Sequence, residues 1–270
     1  MLTVISLGAG VQSSTMAMMA AAGELEPMPD CAIFADTQSE PQAVYRWLDW
    51  LERRLPFPVY RVTQGNLREA VAAERPRGRF LRVDIPAFVV VEGRTAGFIN
   101  RSCTRDCKIV PIRRKVRELI GYTRRRVPPG QVLVEQWIGI SLDEIQRVKD
   151  SRVHWIRNRN PLIERRMSRG DCLEWMRRRG FPQPPKSSCI WCPFHNDAQW
   201  AALTSEEFGE AVAVDDSLRD RPPERYRTKG QLYLHRSGRP LREIDFSGAA
   251  EPVQFDAFGM DNECEGACGV

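Results

Sequence analysis

The sequence has no apolar run that approaches the roughly 20 residues a helix needs to span a bilayer. Its N-terminus lacks the basic segment followed by an apolar segment that is typical of a secretory signal. Neither an internal repeat nor a long low-complexity run is present. These absences exclude a helical membrane protein and a repeat array. We therefore expect a cytoplasmic protein that has no membrane partner.

Lysine is scarce and arginine is abundant among the 40 basic residues, which outnumber the 35 acidic residues and give a formal net charge of +5. A mild positive excess suits phosphate-bearing partners, although solvated helix faces rich in arginine produce the same balance. The chain has 270 residues, of which 42% are hydrophobic. This length is enough for one sizeable core, or for one large domain with an appendage.

The order of apolar segments predicts the fold class. Short apolar strands alternate with amphipathic helices through the first half of the chain, with strands expected at 3–7, 31–35, 58–62 and 132–140. This order predicts an α/β fold, with a doubly wound, mainly parallel sheet flanked by helices and a cysteine-rich C-terminal appendage. We expect a nucleotide-binding domain over 1–165, a helix with a cysteine pair over 166–203, and an irregular tail over 204–270.

A glycine-rich turn follows the first predicted strand and opens the first helix. In doubly wound proteins this turn binds phosphates, because glycines let the backbone approach and the helix N-terminus supplies free N–H groups. The turn lacks the lysine of a Walker loop, and a serine replaces the third glycine of a dinucleotide-binding turn. A tight turn without a ligand is the alternative. The candidate phosphate-binding residues are Ser6, Gly8, Gly10, Gln12, Ser13 and Ser14.

Four further residues are candidates for the same site. Asp36 ends the second predicted strand at the carboxyl edge of the sheet, where a ribose or a metal ion is met. Lys108 and Arg147 carry charges that suit phosphate or sulfate oxygens, and Gly139 ends another predicted strand. A plain surface charge is the alternative interpretation of each basic residue.

Six of the eight cysteines form three close pairs, which indicates a metal site or redox chemistry in a reducing compartment. A C-x-x-x-C pair at Cys103 and Cys107 and a C-x-x-C pair at Cys189 and Cys192 together predict a four-thiolate site. Its candidates are a [4Fe–4S] cluster and structural zinc. The third pair, Cys264 and Cys268, lies among glycines in the tail. A cysteine there is a candidate nucleophile, persulfide carrier or cluster ligand, or has no role.

Several segments resemble, in order, those of the phosphoadenosine phosphosulfate (PAPS) reductase family within the PP-loop ATP-pyrophosphatase superfamily. Residues 8–14 are similar to its Ser-Gly-Gly-x-Asp-Ser loop, with Gln12 in place of the Asp. Residues 34–41 resemble its Asp-Thr-Gly-x-Glu segment, and residues 101–113 its Cys…Lys-x-x-Pro-Leu segment. Residues 139–147 resemble its Gly-Ile-Arg-x-x-Glu-Ser-x-x-Arg segment.

The resemblance implies a cytoplasmic enzyme that binds ATP or an adenylylated sulfur nucleotide, with Mg²⁺ as a further cofactor. It favours the [4Fe–4S] cluster over zinc, and it makes Cys264 and Cys268 the candidate catalytic residues. The first expected activity is ATP-dependent sulfur transfer from a sulfur donor to an acceptor. Nucleic acid is a candidate acceptor, because arginines cluster at 113–117 and 124–126.

Two alternatives remain open. The first is a sulfonucleotide reductase, in which a tail cysteine attacks the sulfur of the nucleotide and a thioredoxin-like reductant resolves the intermediate. The second is a non-catalytic module that binds a nucleotide or senses redox state. The altered phosphate loop is the sequence feature that favours this second alternative.

Overall fold

A five-stranded, all-parallel sheet forms the centre of the protein. The computed structural model describes residues 1–72, 85–99, 102–220 and 230–249. The strands of this sheet are β1 (Leu2–Leu7), β2 (Cys31–Asp36), β3 (Val59–Thr63), β6 (Val134–Ile138) and β7 (Ile156–Arg159). They lie in the order β3-β2-β1-β6-β7, which confirms the predicted doubly wound α/β fold.

Helices cover both faces of this sheet. Those along the chain are α1 (Val11–Ala21), α2 (Gln42–Glu52), α3 (Leu67–Ala72), α4 (Val110–Leu119), α5 (Pro161–Glu164), α6 (Arg169–Arg178), α7 (Asp197–Ala201) and α8 (Ser205–Arg219). A π-helix, Thr104–Ile109, leads into α4, and 3₁₀ turns lie at Leu142–Arg147 and Leu241–Glu243. The pattern of apolar and basic residues over 107–120 indicates only a regular helix, so the sequence does not reveal the π-helix that precedes it.

Apolar side chains point alternately to the two faces of the sheet along β1 and β2, which explains why helices cover both faces. Ile5 and Phe34 pack in the cluster that includes α1, α2 and α6, whereas Val4 and Ile33 pack with α4 on the other face. Strands that are buried on both faces consist of nearly continuous apolar residues, as these do. Helix α1 is buried along nearly its whole length, since α6 lies over it.

A second, smaller sheet is antiparallel and lies beside the first. Its strands are β4 (Ala87–Val91), β5 (Arg94–Ile99) and β8 (Gln231–Tyr233), in the order β5-β4-β8. The hairpin of β4 and β5 falls in the region where the sequence indicates a strand or hairpin. This sheet and α8 share an apolar cluster with Cys107, Trp191 and Trp200.

The chain after residue 203 is more regular than the sequence indicates. Where an irregular tail was expected, α8 runs for 15 residues, and a capping box formed by Thr204 and Glu207 begins it. The buried Asp215 accepts backbone hydrogen bonds from Leu234 and Leu241, which fixes the following segment against α8. The domain boundaries at 165 and 203 stay predictions. Cys264 and Cys268 lie outside the described residues.

Helix lengths in the described part of the chain bear on membrane insertion. The longest described helix is α8, and none of the described helices combines the length and apolarity needed to cross a bilayer.

One glycine lets the sheet meet the first helix closely. A Cβ atom on Gly139 would lie 2.8 Å from the backbone nitrogen of Ser13 and 3.2 Å from the carbonyl carbon of Gln12. Both neighbours are backbone atoms, so they cannot turn aside as a flexible side chain can. The position directly after β6 therefore requires glycine for packing, whatever else it does.

We expect Gly139→Ala to lower the free energy of unfolding by about 1–3 kcal/mol, because the added methyl group forces the end of β6 away from α1. Chemical denaturation measures this loss. Gly209→Ala is the matched control: no atom lies within 4 Å of a Cβ there, and the site is inside α8. This control should gain about 0.5–1 kcal/mol. Equal stability of Gly139→Ala and the wild type would contradict the packing argument.

Candidate functional site

The candidate site lies at the carboxyl edge of the parallel sheet. The strand order reverses between β1 and β6, and ligands of doubly wound sheets bind in the crevice at this reversal. The structure brings nine of the ten predicted nucleotide-binding residues to this edge: Ser6, Gly8, Gly10, Gln12, Ser13, Ser14, Asp36, Gly139 and Arg147. The tenth, Lys108, lies in the wall of an adjoining pocket.

The turn between β1 and α1 is closed by its own hydrogen bonds. The Gly8 N–H donates to Ser13 Oγ over 3.2 Å, and Ala9 takes a left-handed φ of 59°. Such a φ is uncommon for a residue with a side chain, and it indicates a backbone held by its surroundings. The hydroxyl of Ser187 donates to the Gly8 carbonyl, so the segment before the C-x-x-C pair lies against the turn. All residues of the turn are buried.

Two of the predicted polar residues at this edge already have partners. Ser14 Oγ accepts a hydrogen bond from Trp47 Nε1 over 2.9 Å, which ties α1 to α2. Asp36 Oδ1 accepts from Tyr45 Oη over 2.8 Å and from the Gln38 N–H over 2.7 Å. Burial and the Asp36 carboxylate raise the pKa of Tyr45, so this phenol stays a hydrogen-bond donor at neutral pH. These contacts orient the strand end and the helix start.

A chain of polar side chains crosses from α1 to the segment after β6. Gln12 Nε2 lies 3.4 Å from Ser141 Oγ and 3.3 Å from Glu144 Oε2. Arg147 Nη1 binds Glu144 Oε1 over 2.5 Å. Gln12 Oε1 and Ser6 Oγ are among the buried oxygen atoms that have no hydrogen-bond partner within the described ranges. Buried polar atoms without a partner are rare, and they point to a missing water, ion or ligand.

Three cysteines line one pocket beside this edge. Cys103, Cys189 and Cys192 share its wall with Thr37 and Lys108. Thr37 follows the last residue of β2 directly, and the Ile190 N–H donates to the Ser39 carbonyl over 2.8 Å. The C-x-x-C segment therefore packs on the loop after β2 while Ser187, just before it, contacts the turn after β1. The pocket and the turn between β1 and α1 are neighbours.

A buried carboxylate organises the polar wall of the pocket. Glu40 Oε1 lies 3.2 Å from Lys108 Nζ and 3.3 Å from Thr37 Oγ1. The Cys189 Sγ atom lies 3.4 Å from Thr37 Oγ1 and 3.8 Å from Glu40 Oε1. Burial, followed by the negative charge of Glu40, raises the pKa of the Cys189 thiol, and Lys108 opposes this rise. The free thiol is thus the favoured form of Cys189 in the metal-free protein.

The remaining predicted ligand, Cys107, lies behind the pocket wall. It is buried in the apolar cluster of the smaller sheet, and burial raises the pKa of its thiol to about 11. Cys103 precedes the π-helix and Cys107 lies within it, so the wider turn directs Cys103, Thr104 and Lys108 toward the pocket. Single π-helical turns occur often at functional sites.

The pocket thiols have the donor chemistry of metal ligands. The three thiols in the pocket, those of Cys103, Cys189 and Cys192, are soft donors that suit an iron–sulfur cluster or zinc. In the described part of the chain, no three His, Cys, Asp or Glu side chains are already placed to hold one ion. The donor set fits either metal centre, provided that the thiols deprotonate and turn inward on binding.

His195 is the other candidate ligand near the pair. It is buried, its Nε2 lies 2.7 Å from Ser188 Oγ, and burial lowers its pKa to about 3. Its ring packs edge-on against Trp200. The neutral imidazole therefore packs under the turn after Cys192, on its buried side.

No family model, curated protein or solved structure matches the chain. Its function is therefore inferred from the geometry and chemistry of its own residues.

Sequence reasoning missed three residues that the structure places at the centre of the site: Glu40, Glu144 and Ser187. The first two lie inside segments that the sequence singled out as a whole, at 34–41 and 139–147. Their positions within these two segments could have marked Glu40 and Glu144 as candidates. Position alone does not distinguish an acid that binds a ligand from an acid that pairs with a basic residue. Ser187 lies in a proline-rich stretch without any pattern.

We expect Lys108→Met to lower the free energy of unfolding by about 3–5 kcal/mol, because it leaves the Glu40 carboxylate buried without its cation. The double variant Lys108→Met/Glu40→Gln should recover a large part of this loss, since no buried charge remains. Chemical denaturation measures both.

The exposed carboxylate of Glu174, which pairs with Arg177 and Arg178, supplies the control. Glu174→Gln should change stability by less than about 1 kcal/mol. If the single and double variants of the buried pair were equally stable, the two charges would not be coupled.

Proposed function

We propose that the protein is an adenine-nucleotide-binding enzyme that transfers sulfur to an acceptor, with a thiolate-bound iron–sulfur centre in the pocket beside the phosphate turn. The observation that carries this proposal is the shared wall of Cys103, Cys189, Cys192 and Lys108 next to the carboxyl edge of the sheet. A nucleotide site beside a thiol site suits a two-step reaction. In the first step the nucleotide activates an oxygen of the acceptor, and in the second step sulfur replaces that oxygen.

The nucleotide phosphates bind at the N-terminus of α1, where free N–H groups and the helix dipole favour an anion. Residues 8–10 are buried, and Ser187 holds the Gly8 carbonyl. The segment of Ser187 therefore touches the turn at which the phosphates would bind. Because that segment leads directly into the C-x-x-C pair, it connects the proposed nucleotide site to the pocket.

Cys103, Cys189 and Cys192 would hold the centre as thiolates, and Lys108 lies beside them in the pocket wall. A [4Fe–4S] cluster usually has four cysteine ligands, so a further ligand would have to complete this set. Zinc with three thiolates and one open position is the alternative. When bound, the centre supplies a coordination site for sulfide-level sulfur next to the nucleotide.

The reaction balances in two displacements. An acceptor oxygen attacks the α-phosphorus of ATP, an O–P bond forms, and pyrophosphate leaves with the electron pair. Sulfide-level sulfur from a donor then attacks the activated carbon, a C–S bond forms, and the C–O bond breaks to release AMP. No net oxidation occurs in either step. Arg147 and Lys108 are the cationic residues near the phosphates.

A nucleic acid fits as the acceptor. Arg114, Arg124, Arg125 and Arg126 are exposed on α4 and the loop after it, and Arg125 stacks on Tyr122. Helix α4 continues directly from the π-helix whose residues line the pocket. A basic track that leads away from a reaction pocket suits a phosphate backbone.

We expect anaerobic reconstitution with iron and sulfide to load about four irons per chain and to give a broad visible absorption band. Cys189→Ser should lose most of this iron, whereas Cys172→Ser, a buried cysteine on α6, should load like the wild type. If Cys107 supplies the fourth thiolate, Cys107→Ser should also lose most of its iron; otherwise it should load like the wild type. Stoichiometric zinc and no iron in every preparation would overturn the iron–sulfur assignment.

We expect the loaded protein to form AMP and pyrophosphate from ATP in the presence of RNA or DNA and a sulfide source, with sulfur retained in the nucleic acid. The rate should fall steeply as salt rises, because backbone contacts release counterions. Absence of both AMP and pyrophosphate with every acceptor would refute sulfur transfer. Release of sulfite from adenylylsulfate would instead establish the reductase alternative.

A further inference from the structure

A second basic loop accompanies the arginine-rich loop that follows α4. The first basic loop, residues 121–133, leads into β6; it has three consecutive exposed arginines and no acidic residue. The second basic loop, residues 148–155, leads into β7. It exposes Lys149 and Arg152, and Asp150 is its single acidic residue. Both loops therefore carry an excess of positive charge.

Buried side chains and backbone hydrogen bonds join the two loops. Val127 of the first loop and Trp155 of the second belong to one buried apolar cluster. The N–H groups of Leu133 and Val134 both donate to the Trp155 carbonyl, over 3.0 and 3.1 Å. The loops are thus neighbours, and their exposed cations form one basic surface, which consists of Arg124, Arg125, Arg126, Lys149 and Arg152.

Hydrogen bonds fix the backbone of both loops. Arg117 Nη2 donates to the carbonyls of Tyr122 and Arg125, over 2.6 and 2.7 Å, and the Arg125 guanidinium stacks on the Tyr122 ring. In the second loop, Asn158 Nδ2 donates to the Lys149 carbonyl over 3.0 Å. A surface whose backbone is already ordered loses less conformational entropy when it binds a partner.

The basic surface and the thiol pocket lie at opposite edges of the parallel sheet. Lys108, in the pocket wall, pairs with Glu40 just after β2, whereas Lys115 on α4 lies over the Tyr60 ring near the start of β3. Helix α4 therefore runs from the carboxyl edge to the amino edge, where both basic loops lie. Strand β2 has six residues, so the two edges are about 20 Å apart.

We propose that the basic surface binds the phosphate backbone of the nucleic-acid acceptor about 20 Å from the thiol pocket. At 3.4 Å per step, the acceptor must then extend about six base pairs beyond the reacting nucleotide. This inference rests on the proposed function for its acceptor, although backbone binding itself needs neither ATP nor a metal centre.

Two observations favour a nucleic acid over an anionic membrane. Four of the five cations are arginines, whose planar forks bind phosphate oxygens in pairs. Arg114 is exposed on α4, between the basic surface and the pocket. A nucleic acid can follow α4 from one edge of the sheet to the other, whereas a membrane at the amino edge has no path to the pocket.

Fluorescence anisotropy of the full-length protein with a labelled RNA or DNA duplex of about 20 base pairs tests the surface without ATP. Arg124→Ala, Arg126→Ala and Arg152→Ala should each weaken binding about three- to tenfold and lower the salt slope by about one. Melting temperatures should stay at the wild-type value, because these side chains are exposed. Unchanged affinity and slope in all three variants would overturn the proposal.

Arg53→Ala is the matched control, since Arg53 is an exposed arginine at the end of α2, on the opposite face of the sheet from α4. It removes the same charge and should leave binding unchanged. Equal weakening in Arg53→Ala would show that only the overall charge matters. Vesicles that contain phosphatidylserine supply the other arm: tighter binding to them than to the duplex would overturn the proposal in favour of a membrane.

Acceptors of increasing length test the span. The kcat/KM for AMP formation should rise steeply once the duplex extends more than about six base pairs beyond the reacting nucleotide. The triple variant Arg124→Ala/Arg126→Ala/Arg152→Ala should lose this rise and keep the rate of the short acceptors. Equal use of short and long acceptors by the wild type would overturn the span and leave the proposed sulfur transfer intact. Duplex binding without AMP formation would refute the sulfur transfer, and with it the acceptor role of the surface.

Discussion

The buried carboxylate of Glu40 is the constraint on which the candidate site depends. A charge removed from water must be matched by a cation and by hydrogen bonds, otherwise folding becomes unfavourable by several kcal/mol. Lys108 supplies the cation and Thr37 a hydroxyl donor, both to Oε1, whereas Oε2 has no hydrogen-bond partner within the described residues. Because these partners come from the π-helix and from the loop after β2, satisfying one charge fixes two walls of the pocket. Cys189 is placed against the same group.

The parallel sheet explains how residues that are distant in the sequence meet at this point. All its strands end at one edge, so the turn after β1, the loop after β2 and the segment after β6 are neighbours. The C-x-x-C segment then lies across this edge through Ser187 and Ile190. Cys103, Cys189 and Cys192 are therefore brought together by topology rather than by local sequence.

The sequence predicts those parts of the fold where one physical signal dominates. Buried strands such as β1 and β2 are continuous apolar runs, and the cap of α6 is visible as Ser168 with Asp171. Helix α8 was missed, because its apolar residues have weak periodicity and its anchor, Asp215, binds backbone groups that only the fold brings near. Local pattern carries no information about such a contact.

In the candidate site, too, some features are visible in the local sequence and others depend on contacts that only the fold creates. The cysteine pairs and the glycine-rich turn after β1 are visible from residue type and spacing, whereas what they bind stays a prediction. Gly139 was predicted for nucleotide binding, but the structure shows a packing requirement that sequence alone cannot separate from it. Cys107 has the spacing of a ligand, yet the π-helix places it in the apolar cluster. The pairing of Lys108 with Glu40 depends on a burial that no spacing reveals.

Two basic side chains at the crevice pair with acids. Lys108 pairs with Glu40 on the pocket side, and Arg147 pairs with Glu144 on the side of β6. Each pair sets one positive charge against one negative charge. For a nucleotide bound as we propose, the oriented N–H groups at the start of α1 would therefore matter more than these two cations. Thiolates in the adjoining pocket would add negative charge beside the same crevice, which makes those N–H groups still more important.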